Sequence, residues 1–245
     1  MPGSNADDAS AHILVYGLSA DPIHVGHVEM ATQSTRALER RGYHVVEVLL
    51  VPVYRRNPVG VAKERIPDTY AHRLAMCALA AGEIAVDLGL PTERVRASEI
   101  EAELVRDRST PNYTAETLAL LSARSEPGTG LIFLISSELV SGPDPQLGRW
   151  YRPDEILRLA VLAICPRPGY APNTTFIANL VEHGARVVML DEVATPEISA
   201  SDIRALLRAG HSPEELGRKG MLTSAVAGYL RAHDVYGSAR ADLEL

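Results

Sequence analysis

The sequence contains few cysteines and no long hydrophobic run. Its two cysteines, Cys77 and Cys165, lie in apolar segments, which predicts buried free thiols rather than a disulfide. No apolar run approaches the roughly 20 residues that a membrane-spanning helix needs, so we expect no membrane partner. Residues 1–10 are polar and acidic without an apolar stretch, which predicts no secretory signal and a cytoplasmic protein.

The sequence also has no excess of basic residues. Lysine and arginine number 24 against 31 aspartates and glutamates, so the net charge of −7 argues against a nucleic-acid partner. There is no internal repeat, no low-complexity segment and no linker long enough to separate two domains. We therefore expect one domain over residues 11–237, with a disordered polar tail at 1–10 and a second tail at 238–245.

One stretch near the start of the chain organises the rest. Residues 13–16 form an apolar, partly β-branched run that ends at Gly17, which predicts a buried parallel strand. Asp21-Pro22 is typical of a turn, because proline restricts its own φ and disfavours helix in the residue before it. A helical pattern follows over residues 25–41 and ends at Gly42.

Two histidines stand at the start of this predicted helix. His24 and His27 are three positions apart, so their side chains can point the same way, and Gly26 between them lets a ligand approach the backbone. A helix N-terminus offers free N–H groups and a partial positive charge, so the arrangement predicts a phosphate cradle. The alternatives are histidines that merely decorate a capped helix, or a metal pair. Nothing nearby has the ligand spacing of a zinc site.

Residues 17–27 resemble the signature of the nucleotidylyltransferase superfamily. The pattern is most similar to that of bacterial nicotinate-mononucleotide adenylyltransferases, usually written GG[ST]FDPxHxGH. Leu18 and Ala20 depart from it, in place of a glycine and a phenylalanine. The resemblance covers roughly residues 13–236. It implies an α/β fold, a Rossmann-like doubly wound parallel sheet with helices on both faces, in a single domain.

A second segment that resembles the family lies far along the chain. Residues 198–204 read Ile-Ser-Ala-Ser-Asp-Ile-Arg, similar to the family's Ile-Ser-Ser-Thr-x-Ile-Arg, and either Ser199 or Ser201 can cap the helix that begins there. The resemblance implies that Arg204, with His24 and His27, is catalytic and neutralises the outgoing pyrophosphate. The implied nucleotide-binding residues are Gly17, Leu18, Ser19, Gly26, Ser136, Ile198, Ser199 and Ser201.

The acceptor side carries the larger departures from the family. Its Pro-Pro-His-Lys element is missing, and the basic loop at residues 54–63 stands in that place, with Arg55, Arg56 and Lys63 as candidate substitutes. Ser136-Ser137-Glu138 replaces Gly-Ala-Asp, whereas residues 166–169 match a family Pro-Arg-Pro-Gly that serves mainly as structure. The implied acceptor-binding residues are Asp21, Arg55, Arg56, Tyr113, Thr114, Glu138 and Trp150. Asp21 is equally suited to stabilising the turn or pairing with a cation.

The resemblance implies an enzyme that transfers AMP from ATP to a phosphate acceptor, most similar to those that use nicotinate or nicotinamide mononucleotide. Mg²⁺ is implied as the cofactor that accompanies ATP, with no dedicated metal site on the protein. Two alternatives stay open. One is a superfamily member with another acceptor or base, for example a cytidylyltransferase of specialised metabolism, and the other is a non-catalytic nucleotide-binding paralogue. A homo-oligomer is compatible with the sequence, which leaves the oligomeric state open.

Overall fold

The computed structural model describes residues 11–54, 70–104 and 111–236. The strands in these ranges are β1 (Ala11–Leu18), β2 (His44–Pro52), β3 (Val95–Ala97), β4 (Gly130–Ser136), β5 (Ala160–Cys165) and β6 (Val187–Met189). The helices are α1 (Val25–Arg40), α2 (Tyr70–Leu88), α3 (Ile100–Leu104), α4 (Thr114–Arg124), α5 (Pro153–Leu159), α6 (Thr174–Glu182), α7 (Ala200–Arg208), α8 (Pro213–Arg218) and α9 (Ser224–Ala232).

The described strands form a single parallel sheet in the order β3-β2-β1-β4-β5-β6. Strand β1 lies in the middle, and the chain proceeds outward from it in both directions. This order is that of a Rossmann-like doubly wound sheet, in which ligands bind beyond the carboxyl ends of the strands where the direction of winding changes. The predicted fold class is confirmed.

Alternate side chains of the central strands build a core on each face of the sheet. In β1, Leu14 and Tyr16 point into one core while Ile13 and Val15 point into the other. The first core is covered by α1, α2 and the three C-terminal helices, and the second by α4, α5 and α6. The sheet is thus buried on both faces, as its near-continuous apolar strands predict.

Helix α1 shows how the sequence sets an element next to the site. Val28, Ala31, Thr35 and Leu38 recur at helical spacing and are buried against the sheet. The helix ends at Gly42, whose φ of 91° is one that glycine adopts without strain. The predicted bounds of 25–41 differ from the observed ones by one residue.

Both cysteines, Cys77 in α2 and Cys165 at the end of β5, are buried free thiols, as the sequence predicts. None of the helices in the described ranges is long and apolar enough to cross a bilayer. The predicted tails at 1–10 and 238–245 lie outside the described residues.

Candidate functional site

A cavity of about 600 Å³ opens at the carboxyl ends of β1 and β4. These neighbouring strands are the ones from which the chain winds in opposite directions, so the cavity occupies the expected ligand position of the fold. Most of the residues predicted from the sequence line it: Gly17, Leu18, Ser19, Asp21, His24, Gly26, His27, Ser136, Glu138, Trp150, Ile198, Ser199, Ser201 and Arg204.

The two histidines lie against each other at the start of α1. Their ring centroids are 3.8 Å apart, and the backbone N–H of His24 donates to Nδ1 of His27 over 3.2 Å. Because Nδ1 of His27 accepts this bond, the neutral ring carries its proton on Nε2, which is then a donor. A Cβ at Gly26 would lie 3.1 Å from the His24 ring, so glycine is what lets that ring fold over the helix end.

Both imidazoles are neutral near pH 7 in this environment. Burial, and then the charge of Arg167, lowers the pKa of His24 from 6.5 to about 4. Burial is also the main cause that lowers the pKa of His27, followed by the charges of His24 and Arg167. Nδ1 of His24 is buried without a hydrogen-bond partner among the described residues. The pair therefore offers hydrogen-bonding groups to the cavity rather than two fixed positive charges.

The N-terminus of α7 faces the same cavity. Ser199 is the cap residue, since its Oγ accepts the N–H of Asp202 over 3.1 Å and donates to the carboxylate of that residue over 2.6 Å. Ser201 lies in the first turn, and its Oγ is 3.3 Å from Nη2 of Arg204. The end of this helix can thus present backbone N–H groups to an anion.

Arg204 joins the two predicted phosphate segments. Its guanidinium donates from Nη1 to the backbone carbonyl of Asp21 and lies 3.7 Å from the Oδ2 atom of that residue. Tyr236 donates its hydroxyl to Oδ1 of Asp21 over 2.5 Å, and burial followed by this carboxylate raises the pKa of Tyr236. Asp21 is 2% exposed, so its carboxylate serves as the partner of a cation and a tyrosine. Its predicted contact with an acceptor stays a prediction.

Of the predicted aromatic contacts, Trp150 lines the cavity and Tyr113 does not. Trp150 lines the cavity with its ring centroid 6.2 Å from that of Phe133. Tyr113, the residue before α4, packs its ring 4.3 Å from Tyr151. Neither Tyr113 nor Thr114 is among the described residues that line the cavity. The predicted contacts Arg55 and Arg56 lie outside the described residues.

Sequence reasoning missed one cation of the cavity. Arg167 lies in the turn that we expect to be mainly structural, yet it lines the cavity, and its Nη1 donates to the carboxylate of Glu138. A signal was available, because β5 pairs in parallel with β4 and ends at Cys165 beside Ser136. The residues that follow must therefore emerge at the same edge of the sheet as the predicted site.

Two buried ionisable residues, Arg73 and Glu101, hydrogen-bond to backbone groups at Ser19 and Tyr54, after the ends of β1 and β2. Arg73 of α2 donates from Nη1 to the carbonyl of Ser19 over 2.9 Å. Glu101 of α3 accepts the N–H of Tyr54 over 2.8 Å, and burial raises the pKa of its carboxyl to about 7. Its backbone carbonyl accepts Nδ2 of Asn112 over 2.7 Å. Glu101 thus joins Tyr54, which follows β2, to Asn112, which precedes α4.

Comparison of the sequence with known proteins identifies a family and several relatives. Residues 15–206 match the model of a family described as cytidylyltransferase-like. A probable nicotinate-nucleotide adenylyltransferase of Aeromonas hydrophila is 32% identical over 240 residues, 91% of this chain and 95% of that protein. One of Cellvibrio japonicus is 30% identical over 215 residues, 82% of this chain and 90% of that protein.

Solved structures agree in fold. The nicotinic acid mononucleotide adenylyltransferase of Plasmodium falciparum, complexed with NaAD, superposes with a TM-score of 0.66. The alignment covers 93% of this chain and 98% of that one at 16% identity. At this identity the likeness shows a shared fold, which is the doubly wound architecture described above.

Proposed function

The chain belongs to the cytidylyltransferase-like family, and from that premise we propose that it is an enzyme that transfers AMP from ATP to nicotinate mononucleotide. The observation that carries the proposal is the convergence of His24, His27 and the N-terminus of α7 on one cavity at the switch point of the sheet. The full-length relatives named nicotinate-nucleotide adenylyltransferase support the choice of acceptor. We propose that the enzyme acts in NAD biosynthesis in the cytoplasm.

The proposed step is a single in-line displacement. An oxygen of the acceptor phosphate attacks the α-phosphorus of ATP, the bond to the β-phosphate oxygen breaks, and pyrophosphate leaves with the electron pair. A phosphate monoester is already ionised at neutral pH, so no side chain has to remove a proton. Catalysis then depends on holding the two reactants in line and on stabilising the charge that develops.

The histidines would act on the transferred phosphate as neutral donors. Nε2–H of His27 is free to donate because Nδ1 accepts the His24 backbone N–H. Such a preorganised donor contributes about 10²–10³ in turnover when it points at developing charge. The His24 ring, whose centroid lies 3.8 Å from that of His27 and which also lines the cavity, would hold a second phosphate oxygen.

The leaving pyrophosphate would lie against α7. The free N–H groups at its first turn, capped by Ser199 and followed by Ser201, suit the β- and γ-phosphates. Arg204 would add positive charge there while its Nη1 stays on Asp21, because a guanidinium has donors to spare. The pair with Asp21 holds the guanidinium in place and so reduces the entropy lost on binding.

The remaining predicted contacts divide by position. Gly17, Leu18, Ser19, Ser136 and Ile198 line the part of the cavity that would take the nucleoside. Trp150 would pack on the pyridine ring, with Glu138 nearby, and Tyr113 and Thr114 would reach the acceptor from outside the present cavity lining.

Magnesium would arrive with ATP as part of the substrate. No group of three metal-ligating side chains occurs within the described ranges, and two of the cavity carboxylates, Asp21 and Glu138, are engaged by guanidinium groups. This arrangement of carboxylates fits a magnesium ion whose ligands are phosphate oxygens and water rather than protein side chains. When bound with ATP, such an ion would neutralise part of the phosphate charge.

The test is an assay of pyrophosphate release by the purified full chain. ATP, CTP, GTP and UTP are each paired with nicotinate mononucleotide, nicotinamide mononucleotide and a buffer blank, and the dinucleotide product is identified by mass. We expect the highest kcat/KM for ATP with nicotinate mononucleotide. No dinucleotide with any nucleotide on this acceptor would overturn the proposal.

One observation favours a second candidate, a family member with another base or acceptor. Where the family has Gly-Ala-Asp, this chain has Ser136-Ser137-Glu138, and Glu138 is paired with Arg167 at the cavity wall. The side chains of Ser136 and Glu138 occupy part of the cavity that would be open if glycine and aspartate stood at these two positions. The same assay, extended to other phosphate monoesters, separates this candidate from the first. Binding of ATP with no turnover on any acceptor would indicate a non-catalytic paralogue.

A further inference from the structure

The turn after β5 brings a cation to the cavity wall. Residues 167–170 form a tight turn in which the N–H of Tyr170 donates to the carbonyl of Arg167 over 3.0 Å. Pro168 and Gly169 occupy its centre, and the φ of Gly169 is 81°, as a type II turn requires. The turn is therefore rigid, and Arg167 stands at its first position.

Ser137 holds the open ends of this turn together. Its hydroxyl accepts the backbone N–H of Arg167 over 2.9 Å and donates to the carbonyl of Tyr170 over 2.7 Å. Ser137 is completely buried, and the family has alanine at this position. Burying a hydroxyl group costs free energy unless the group is hydrogen-bonded, and the Ser137 hydroxyl is bonded to both ends of one turn.

The guanidinium of Arg167 is set close to the proposed phosphate position. It pairs with Glu138, lies 5.4 Å from the ring centroid of Tyr170, and its charge is one of the causes that lower the pKa of both His24 and His27. The ion pair is partly exposed and uses one of the donors of the guanidinium, so an anionic ligand can engage the others at little cost.

We propose that Arg167 is a ligand of the nucleotide's phosphates and that Ser137 is the residue that positions it. The proposal rests on the proposed function, since it assumes that a nucleoside triphosphate occupies this cavity. It gives a reason for a serine where the family has alanine. The Ser137 hydroxyl bonds to both ends of the turn, and the turn fixes the position of the Arg167 guanidinium. This guanidinium faces the same cavity as the imidazoles of His24 and His27 and the N-terminus of α7.

The test compares ATP binding by Ser137→Ala, Arg167→Ala and the double variant, with Ser141→Ala as the matched control. Ser141 lies in the same connection and donates its hydroxyl to the carbonyl of Glu138, while its backbone pairs with Pro172, two residues beyond the turn. Titration calorimetry with MgATP and no acceptor gives each Kd, and steady-state assays give KM for each substrate. Far-UV circular dichroism confirms that each variant is folded.

We expect Arg167→Ala to weaken ATP binding about 10-fold or more, as loss of a charge-assisted hydrogen bond does. Ser137→Ala should weaken it by roughly 3- to 10-fold, because the guanidinium remains but is less well placed. The double variant should bind ATP like Arg167→Ala alone, since the serine acts through the arginine. In all of these variants the KM of the acceptor should stay within about twofold of the wild-type value. The Kd of Ser141→Ala for ATP should likewise stay within about twofold of the wild-type value.

Wild-type affinity in Arg167→Ala would overturn the proposal, and this surface side chain can be removed without loss of the fold. Multiplicative effects of the two substitutions would overturn the positioning role of Ser137. Because binding is measured without acceptor, a wild-type protein that binds ATP but does not use nicotinate mononucleotide would refute only the proposed acceptor. A wild-type protein that binds no nucleotide would refute both proposals.

Discussion

Arg204 donates a hydrogen bond to the backbone carbonyl of Asp21, a residue that lies 183 positions earlier in the chain. The guanidinium also lies 3.7 Å from the Asp21 carboxylate, and both residues are buried. This contact connects the turn before α1 with the first turns of α7, which are the two segments that resemble phosphate-binding motifs. It allows the two helix N-termini to face one ligand.

Arg204→Met should destabilise the protein strongly. It removes the Arg204 guanidinium from the buried Asp21 carboxylate, and breaking a buried ion pair by removing one partner typically lowers the free energy of unfolding by about 3–5 kcal/mol. Urea unfolding followed by circular dichroism measures the loss.

The matched control is Arg40→Met, which removes an exposed guanidinium 3.7 Å from Glu192 and should cost less than about 1 kcal/mol. Adding Asp21→Asn to Arg204→Met should recover part of the loss, because the carboxylate that has lost its ion pair with Arg204 is then removed as well. A loss from Arg204→Met as small as that of the control would contradict a structural ion pair.

His27→Ala should lower kcat by about 10²–10³, since it removes the donor proposed to stabilise charge on the transferred phosphate, and should cost about 1 kcal/mol of stability because Nδ1 no longer accepts the His24 N–H. His44→Ala, which changes an exposed histidine at the start of β2, is the control and should leave kcat unchanged. Steady-state assays of pyrophosphate release measure both variants. Full turnover in a folded His27→Ala would show that its Nε2–H does not act on the reacting phosphate.

Gly26→Ala should reduce activity because the new methyl group would lie 3.1 Å from Cε1 and Nδ1 of His24 and would displace that ring. Displacements of this kind at a reacting centre cost about 10-fold or more in kcat/KM.

Gly82→Ala is the matched control inside α2, where an added Cβ meets no heavy atom within 4 Å. That variant should keep full activity and gain about 0.5–1 kcal/mol in the free energy of unfolding, because alanine favours helix over glycine. Equal activity of the Gly26 variant and the wild type would show that the close contact at the helix end has no catalytic role.

Glu101→Gln should change how stability depends on pH. Burial raises the pKa of the Glu101 carboxyl from 4.5 to about 7, so the folded state holds a proton that the unfolded state releases above pH 4.5. The wild-type protein therefore loses stability as pH rises from about 4.5 to 7, by about 3 kcal/mol at most. Glutamine is never ionised and can still accept the N–H of Tyr54.

Urea unfolding at pH 5 and pH 8 tests this expectation. The variant should match the wild type near pH 5 and exceed it at pH 8, whereas Glu99→Gln, which changes an exposed neighbour, should show no such difference. A variant that is less stable than the wild type at pH 8 would mean that the carboxylate is held as an ion by Arg73.

Much of the fold follows from patterns that are local in the chain. The apolar run at residues 130–136 coincides with β4, and the helical pattern that ends at Gly42 coincides with α1 to within one residue. The motifs at residues 17–27 and 198–204 indicate both the superfamily and the phosphate site, because a strand, a turn and a helix N-terminus are each encoded by neighbouring residues.

The support of the site depends on contacts between distant residues. The partnership of Asp21 with Arg204 and Tyr236 has no local signature, and neither has the clasp of Ser137 on the turn that carries Arg167. Strand order brings the end of β5 beside the end of β4, so the loop that follows β5 and carries Arg167 lines the cavity.

The motifs in the sequence place histidines, serines and an arginine in the first turns of two helices, and they carry the family resemblance that implies a doubly wound sheet. The folded chain decides that the imidazoles are neutral, that Asp21 faces a guanidinium, and that Tyr113 packs on Tyr151 outside the cavity lining. The physical reason is that burial and charge at each atom depend on every element packed around it, whereas propensity and capping depend on a few adjacent residues.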